Sequence, residues 1–339
     1  SGLKEASVGT ESVQVATSEG VKADVGSELY VGAQNCQMNV VATTQLSATD
    51  VSLGAAGDVT ASAAGAMELT AGAMSVDTAT DSTIRMGGDA TVEVGDAMKV
   101  SSVSSLDVST GGKMSSLSHD MDVHVDATLS ASVDTLVFAA SDDATVSVAD
   151  VMTLNANDAA INADGDFGLK AAGAASISSD SLSMNADKTL AVSAGEIATI
   201  TTSELELSAS TSVELLTEQL KVGSTRSMEV FSASSLDATT TDLIVSSFED
   251  TAFSAGERAT VTSADATLNV GNTLDISADD TRVRNSGVVD VFAGESTRVT
   301  SKDVTMSVGE KVEILGGEEV KVTTSSLDLS ADTAASVST

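Results

Sequence analysis

The feature that most constrains the fold of this chain is a repeat of 23 residues. Steps of 23 from Met184 reach apolar residues backwards to Leu46 and forwards to Val322, and only Ser115 interrupts the series. A second series that starts at Val222 keeps the same step into the final repeat. A fixed period in this range is typical of a solenoid, in which each repeat buries its apolar edge against its neighbours.

Each repeat contains a finer pattern of apolar pairs, in which one small or polar residue separates the two members. The three pairs of one repeat are Leu182/Met184, Leu190/Val192 and Ala198/Ile200. Alternation with a period of two is a strand signal, because it sends successive side chains to opposite faces. Small and turn-forming residues between the pairs allow the chain to change direction. We therefore predict an all-β fold, a single-chain, three-sided parallel β-solenoid (β-helix) with 23-residue turns, about 15 in number, over residues 1–339.

The same spacing is compatible with a trimeric intertwined β-helix, in which each unit of seven or eight residues stacks on a different chain. Threefold symmetry would make the three faces equivalent, so such a chain would not need three distinct columns of apolar residues. We therefore favour the single chain. A disordered acidic chain fits less well, because the apolar residues lie in register, and a helix would need apolar spacings of three and four.

Two places depart from the register. Around Ser115 we expect a bulge or a local shift, with Met114 and Leu117 compensating for the missing apolar side chain. In residues 279–287 the second strand slips, so we expect Val283 to point inward and the arginines on either side of it to face water.

The composition limits the partners. Fifty acidic residues against sixteen basic ones give a formal net charge of -34, which disfavours nucleic acid or an anionic membrane as a partner. No stretch is long and apolar enough for insertion into a membrane. The absence of proline keeps every backbone N–H available for hydrogen-bonded ladders between turns.

Cys36 is the only cysteine, so an intrachain disulfide is impossible. The residue is expected to be buried or at a corner.

Neither end of the sequence shows a helix or an atypical polar repeat that would cap a solenoid. An open end presents unpaired strand edges and an apolar core. We therefore expect these residues to be a segment of a longer repeat protein, or a subunit that associates end to end, or side by side, with copies of itself.

The sequence HDMDVHVD at residues 119–126 is the one cluster with metal-ligating side chains. If its alternate apolar residues point inward, one outer face carries the weak metal-ligand candidates Asp120, Asp122, His124 and Asp126. Residues 162–168, NADGDFG, lack the full spacing of a calcium loop and are predicted to be a plain corner. We expect no cofactor beyond loosely bound divalent cations such as calcium. Two histidines, one cysteine and no catalytic motif predict that the protein is not an enzyme.

The repeats contain the phrases LTAG at 69–72, VSAG at 192–195, FSAG at 253–256 and LDISAD at 274–279. In these the chain resembles the repeat-built shafts of secreted fibrous proteins, such as filamentous-haemagglutinin-like adhesins, and more loosely the β-helical needles of phage tail spikes. The resemblance implies an extracellular or cell-surface location and assigns no functional residue. We expect a rigid acidic shaft segment of a fibre that assembles end to end, or alternatively the stalk of an adhesin or spike that presents a binding tip.

Overall fold

The structure is a computed structural model in which the backbone is described for residues 3–17, 21–40, 44–56, 59–63, 67–86, 88–317, 319–331 and 334–338. Side chains are described at residues 31, 37 and 46–48 and, within those ranges, from residue 51 onward except 72 and 334. All regular structure in the described residues is β-strand. The side chains of Tyr30 and Cys36 lie outside the described set.

The chain divides into two compact units, residues 1–172 and 173–339. The strands of the first unit are β1 Leu3–Thr17, β2 Val21–Val40, β3 Thr44–Ala55, β4 Val59–Ala63, β5 Met67–Thr78, β6 Ser82–Met86, β7 Ala90–Val94, β8 Ala97–Ser102, β9 Leu106–Thr110, β10 Lys113–Ser118, β11 Asp120–Val125, β12 Leu129–Ser132, β13 Thr135–Ala140, β14 Ala144–Val148, β15 Met152–Asn155, β16 Asp158–Ala163 and β17 Phe167–Ala171.

The strands of the second unit are β18 Ala175–Ser178, β19 Ser181–Ala186, β20 Thr189–Ala194, β21 Ile197–Thr202, β22 Glu204–Ala209, β23 Ser212–Ser224, β24 Met228–Ser232, β25 Ser235–Ser247, β26 Thr251–Ala255, β27 Arg258–Ser263, β28 Asp265–Val270, β29 Thr273–Asn285, β30 Val288–Ala293, β31 Ser296–Val308, β32 Lys311–Gly316, β33 Glu319–Thr323, β34 Ser326–Ala331 and β35 Ala334–Ser338.

Strands pair in parallel with the strand one turn later in the same chain. In β23 and β25, for example, Val213 lies beside Leu236 and Leu220 beside Leu243, each 23 positions further on. This pairing confirms the single-chain β-solenoid and its register. The stacked coils form about 12 turns, slightly fewer than the predicted number. Strands such as β23 and β25 each span two of the predicted short strands.

Alternate side chains of each strand form the core. In β22 Leu205, Leu207 and Ala209 are buried, whereas Glu204 and Glu206 are exposed. Burial of apolar surface contributes about 25 cal/mol for each Å², so the columns of aligned apolar residues supply the main stabilisation of each unit. The polar alternates form the outer faces.

Hydroxyl groups occupy the third buried position of many strands in the second unit and bind the backbone of the corners. Thr240 Oγ1 lies 3.0 Å from the backbone oxygen of Glu218 in the preceding coil and 2.9 Å from that of Asp242 in its own coil. The same contact with two carbonyl oxygens is made by Thr202, Thr217, Ser224, Ser247 and Ser301. Each hydroxyl is itself satisfied inside the core and adds a contact to corner carbonyls, several of which also accept a backbone N–H.

Some corners approach each other so closely that only glycine fits. A Cβ at Gly294 would overlap the carbonyl oxygen of Gly271 in the preceding coil, and one at Gly317 would overlap that of Gly294. No glycine in the described residues has a positive φ, so the requirement at these positions is steric closeness of the two coils.

The two irregular places are register shifts of one residue. Ser116, rather than Ser115, lies between Val92 and Phe138 and is buried, so the predicted local shift is present. The expectation that Leu117 compensates is wrong, because the shift turns that side chain outward and leaves it 47% exposed.

At the second irregular place the prediction is confirmed for Val283 and Arg284 and only in part for Arg282. Val283 lies in register between Val261 and Met306, which places it in an inward column. Arg284 is exposed, and half-buried Arg282 donates a hydrogen bond to Asp280 at 3.2 Å.

Several other basic side chains pair with a carboxylate one turn earlier. Arg226 Nη1 lies 2.9 Å from Glu204 Oε1, and Lys302 Nζ lies 2.7 Å from Asp279 Oδ2. Exposed pairs of this kind contribute little to stability, so they adjust the surface and do not hold the coils together.

Replacing Thr240 by valine keeps the volume of the side chain and removes its hydroxyl. We expect the free energy of unfolding to fall by about 1–2 kcal/mol, because the hydrogen bonding of the buried hydroxyl to the corner carbonyls is lost. Chemical denaturation measures the change. Thr239→Val is the matched control, since Thr239 points outward on the same strand; an equal loss in both variants would contradict the role given to the buried hydroxyl.

Carboxylates at the corners accept hydrogen bonds from the next coil. Asp81 Oδ1 accepts from Ser105 Oγ at 2.7 Å and from Ser105 N at 3.2 Å. Backbone N–H groups are bound in the same way by Asp89, Asp143, Asp250 and Asp265. The hydrogen bonds from the Ser105 hydroxyl, from Ser104 and from Ser105 N lower the pKa of Asp81 from its ordinary value of 3.8.

A lowered pKa stabilises the folded state above the ordinary carboxyl value, and this contribution is lost as the pH falls through the lowered value. We expect Asp81→Asn to lower the melting temperature at neutral pH and to lose this effect in acid. In Ser105→Ala, which removes a donor, an NMR titration should show the pKa of Asp81 closer to 3.8. An unchanged pKa in that variant would rule out the Ser105 hydroxyl as the main cause.

Candidate metal site

The candidate metal site lies at stacked corners of the first unit. His119 and Asp120 form the corner between β10 and β11, and Asp142 lies one turn later at the corner between β13 and β14. His119 N donates to the backbone oxygen of Asp96 at 2.9 Å, and Asp142 N donates to that of His119 at 2.9 Å. Backbone hydrogen bonds therefore hold residues 23 positions apart in adjacent coils.

One ligand atom from each of His119, Asp120 and Asp142 lies within 4.8 Å of the other two. The His119 and Asp120 side chains are exposed, and Asp142 is half-buried. An imidazole nitrogen with two carboxylate oxygens is a donor set that suits zinc and other divalent cations. Three such groups could hold a divalent cation whose remaining positions are filled by water.

A glycine in the following coil leaves space for the carboxylates. A Cβ at Gly165 would lie 2.9 Å from Asp142 Oδ1 and would overlap Asp143 Oδ1. Gly165 belongs to NADGDFG, which forms the corner between β16 and β17, as the sequence predicts. The backbone N–H of Asp166 at this corner donates to Asp143 Oδ1 at 2.8 Å.

The four residues predicted as weak metal ligands all have exposed side chains, because β11 alternates as expected and buries Met121 and Val125. They do not form one cluster. His124 Nε2 lies 2.9 Å from Asp126 Oδ1, and Asp120 instead belongs to the group with His119 and Asp142. Asp122 lies between these two groups on the strand. Metal binding by the predicted row stays a prediction.

Sequence reasoning missed Asp142, although the signal that identifies it was available. Asp142 follows His119 by one repeat of 23 residues, so the register places both at the same corner of adjacent coils. A pattern along one strand does not contain this pair, because the stacking of coils brings together residues of different repeats.

No protein-family model, curated protein or solved structure matches this chain. None of the described residues forms a helix of the length and apolar character needed to cross a membrane. The stacked parallel strands define the class of the protein as a β-solenoid.

We expect millimolar calcium at low ionic strength to raise the melting temperature and the light scattering of the protein. A formal net charge of -34 attracts divalent cations, which reduce repulsion between copies. Zinc should act in the same way at lower concentration if the three-residue group binds it.

Two variants separate a defined site from a diffuse ion atmosphere. His119→Ala together with Asp142→Asn should abolish the zinc effect and leave the calcium effect nearly unchanged, whereas Asp122→Asn is the matched control on β11. Thermal stability and scattering that do not respond to either cation would contradict both expectations.

Proposed function

We propose that the protein is structural, a rigid acidic shaft segment of an extracellular fibre or surface appendage that assembles end to end. The observation that supports this proposal is the state of the last coil, residues 319–338. Its strands continue the inward columns of the coils before it, yet the side chains in those columns are open to water.

The difference in exposure between the last coil and the coil before it is seen in three pairs of residues that share a column. The exposed fractions are 38% for Val322 against 6% for Val299, 55% for Leu327 against 3% for Val304, and 49% for Val337 against 5% for Ile314. The exposed residues are therefore core residues by register, and another coil stacked on them would bury them as the coils below are buried.

The backbone of this coil favours the same partner. Strands β33, β34 and β35 pair in parallel with β31 and β32, and among the described residues no strand pairs with their opposite edges. An unpaired edge offers a row of N–H and C=O groups to a further strand. Any further parallel coil would supply both the hydrogen bonds and the apolar cover, and in this proposal a second copy provides it.

The charge of the surface supports end-to-end rather than lateral contact. Like charges on the outer faces of two copies repel, whereas the columns at the end of the stack are uncharged. An acidic outer face also disfavours nucleic acid as a partner. In this proposal the protein has no catalytic role and needs no cofactor, and its repeats resemble those of secreted fibres, which favours an extracellular or cell-surface location.

The substitution Leu327→Lys tests the proposal. Leu327 is already exposed, so the variant should fold, but a lysine buried at the junction between two copies would weaken association at least tenfold. Sedimentation velocity over a range of concentrations measures the association, and electron microscopy should show elongated assemblies with an axial repeat of about 4.8 Å.

Phe248→Lys is the control, since Phe248 is 78% exposed at a corner, away from the last coil. If the wild-type protein stays monomeric at high concentration, or if both lysine variants weaken association equally, end-to-end assembly is wrong. A monomer would favour the alternative function, a stalk of an adhesin or spike whose last coil is covered by a different domain.

A further inference from the structure

The core of the second unit contains an elongated cavity of about 100 Å³. Most of its lining comes from inward columns of the three strands of each coil, and Leu205 and Met306 mark its limits along the chain. The polar members of the lining are Thr260, Thr281 and Arg282, and the other lining side chains are apolar. The cavity therefore lies mainly within the buried core.

A single coil with small side chains explains the cavity. The first buried positions of the three strands in this coil are Thr251, Ala259 and Ala266. The coil before it carries, in the same columns, Met228, Leu236 and Leu243. Three large side chains are thus replaced by three smaller ones at one level. Of these, Ala259 and Ala266 line the cavity, and the backbone ladder prevents the coil from contracting to fill the space.

The next inward residues of the same coil are more accessible than their equivalents in the coil before. Phe253, Val261 and Leu268 lie in inward columns, yet they are half-buried, whereas their equivalents Val230 and Val245 in the coil before are buried. The three residues also line the cavity. Their accessible surface is consistent with exposure to the cavity in the core.

One hydroxyl group in the cavity lining lacks a partner. Thr281 is 4% exposed and lines the cavity, and its Oγ1 forms no hydrogen bond among the described atoms. A buried hydroxyl without a partner is destabilising. An ordered internal water usually makes about three hydrogen bonds, and a mainly apolar lining offers it too few partners.

We propose that this cavity binds a small apolar molecule that carries a single hydroxyl group, with Thr281 Oγ1 as its hydrogen-bonding partner. The apolar lining would contact the body of the ligand, and Thr281 would select for the hydroxyl. An apolar cavity of about 150 Å³ in another protein binds benzene or xenon, so the volume here suits a molecule no larger than a single ring. The site is independent of the end-to-end assembly proposed above.

Phenol and benzene are the probes, because they share one ring and differ by one hydroxyl. At equal concentration phenol should raise the melting temperature of the wild-type protein more than benzene does. Thr281→Val should remove this difference by weakening phenol binding about tenfold, and it should leave the effect of benzene unchanged.

Ala266→Leu restores the residue type found one coil earlier at Leu243 and should fill the cavity. We expect it to abolish the response to both probes in this unit and to keep or raise the melting temperature. Ala198→Leu is the matched control, because Ala198 lies in an inward position outside the cavity lining and an added side chain there should overpack the core.

The first unit has its own apolar cavity of about 120 Å³, so binding must be assigned by chemical-shift changes of residues in the second unit. Three results would overturn the proposal. The first is chemical-shift changes that are absent or confined to the first unit. The second is a preference for phenol over benzene that persists in Thr281→Val. The third is an Ala266→Leu variant that unfolds or is destabilised as much as Ala198→Leu. The last result would mean that no empty volume is present.

Discussion

The parallel backbone ladder between successive coils is the interaction on which the structure depends. Because strands in a sheet lie about 4.8 Å apart, each residue is held directly above the residue one repeat earlier. Most aligned residues therefore lie 23 positions apart. Where a coil has 22 or 24 residues, as between β21 and β23 or between β5 and β8, the strands still keep their inward side chains in register. The shifts at Ser116 and Val283 stay within one residue for this reason.

The ladder also determines what the side chains must do. Columns cannot move closer together when a side chain is small, so a coil with Ala259 and Ala266 leaves a cavity instead of contracting. Corners cannot move apart when a side chain is large, so Gly294 and Gly317 are required where two coils meet closely. The hydroxyl and carboxylate groups at the corners add hydrogen bonds to backbone groups of the adjacent coil.

The same stacking creates both the candidate metal site and the surface proposed for assembly. Side chains at equivalent positions of adjacent coils are neighbours, which brings His119 to Asp142. At the last coil the columns have no further coil above them among the described residues, so Leu327 and Val337 are exposed although they belong to the core pattern. The candidate metal ligands therefore lie at corners, and the exposed core residues lie at the last coil. The faces between them carry mainly charged and small polar side chains.

The sequence by itself determined the class of fold, the strand period and the inward columns, because a period of two within a period of 23 permits few other arrangements. The tertiary structure alone decided which residue of a shifted strand enters the core, and it turned Leu117 outward. It also paired Asp142 with His119 and left Thr281 beside a cavity. These features depend on distances between coils and on the volumes of several columns at one level, which a pattern read along the chain does not contain.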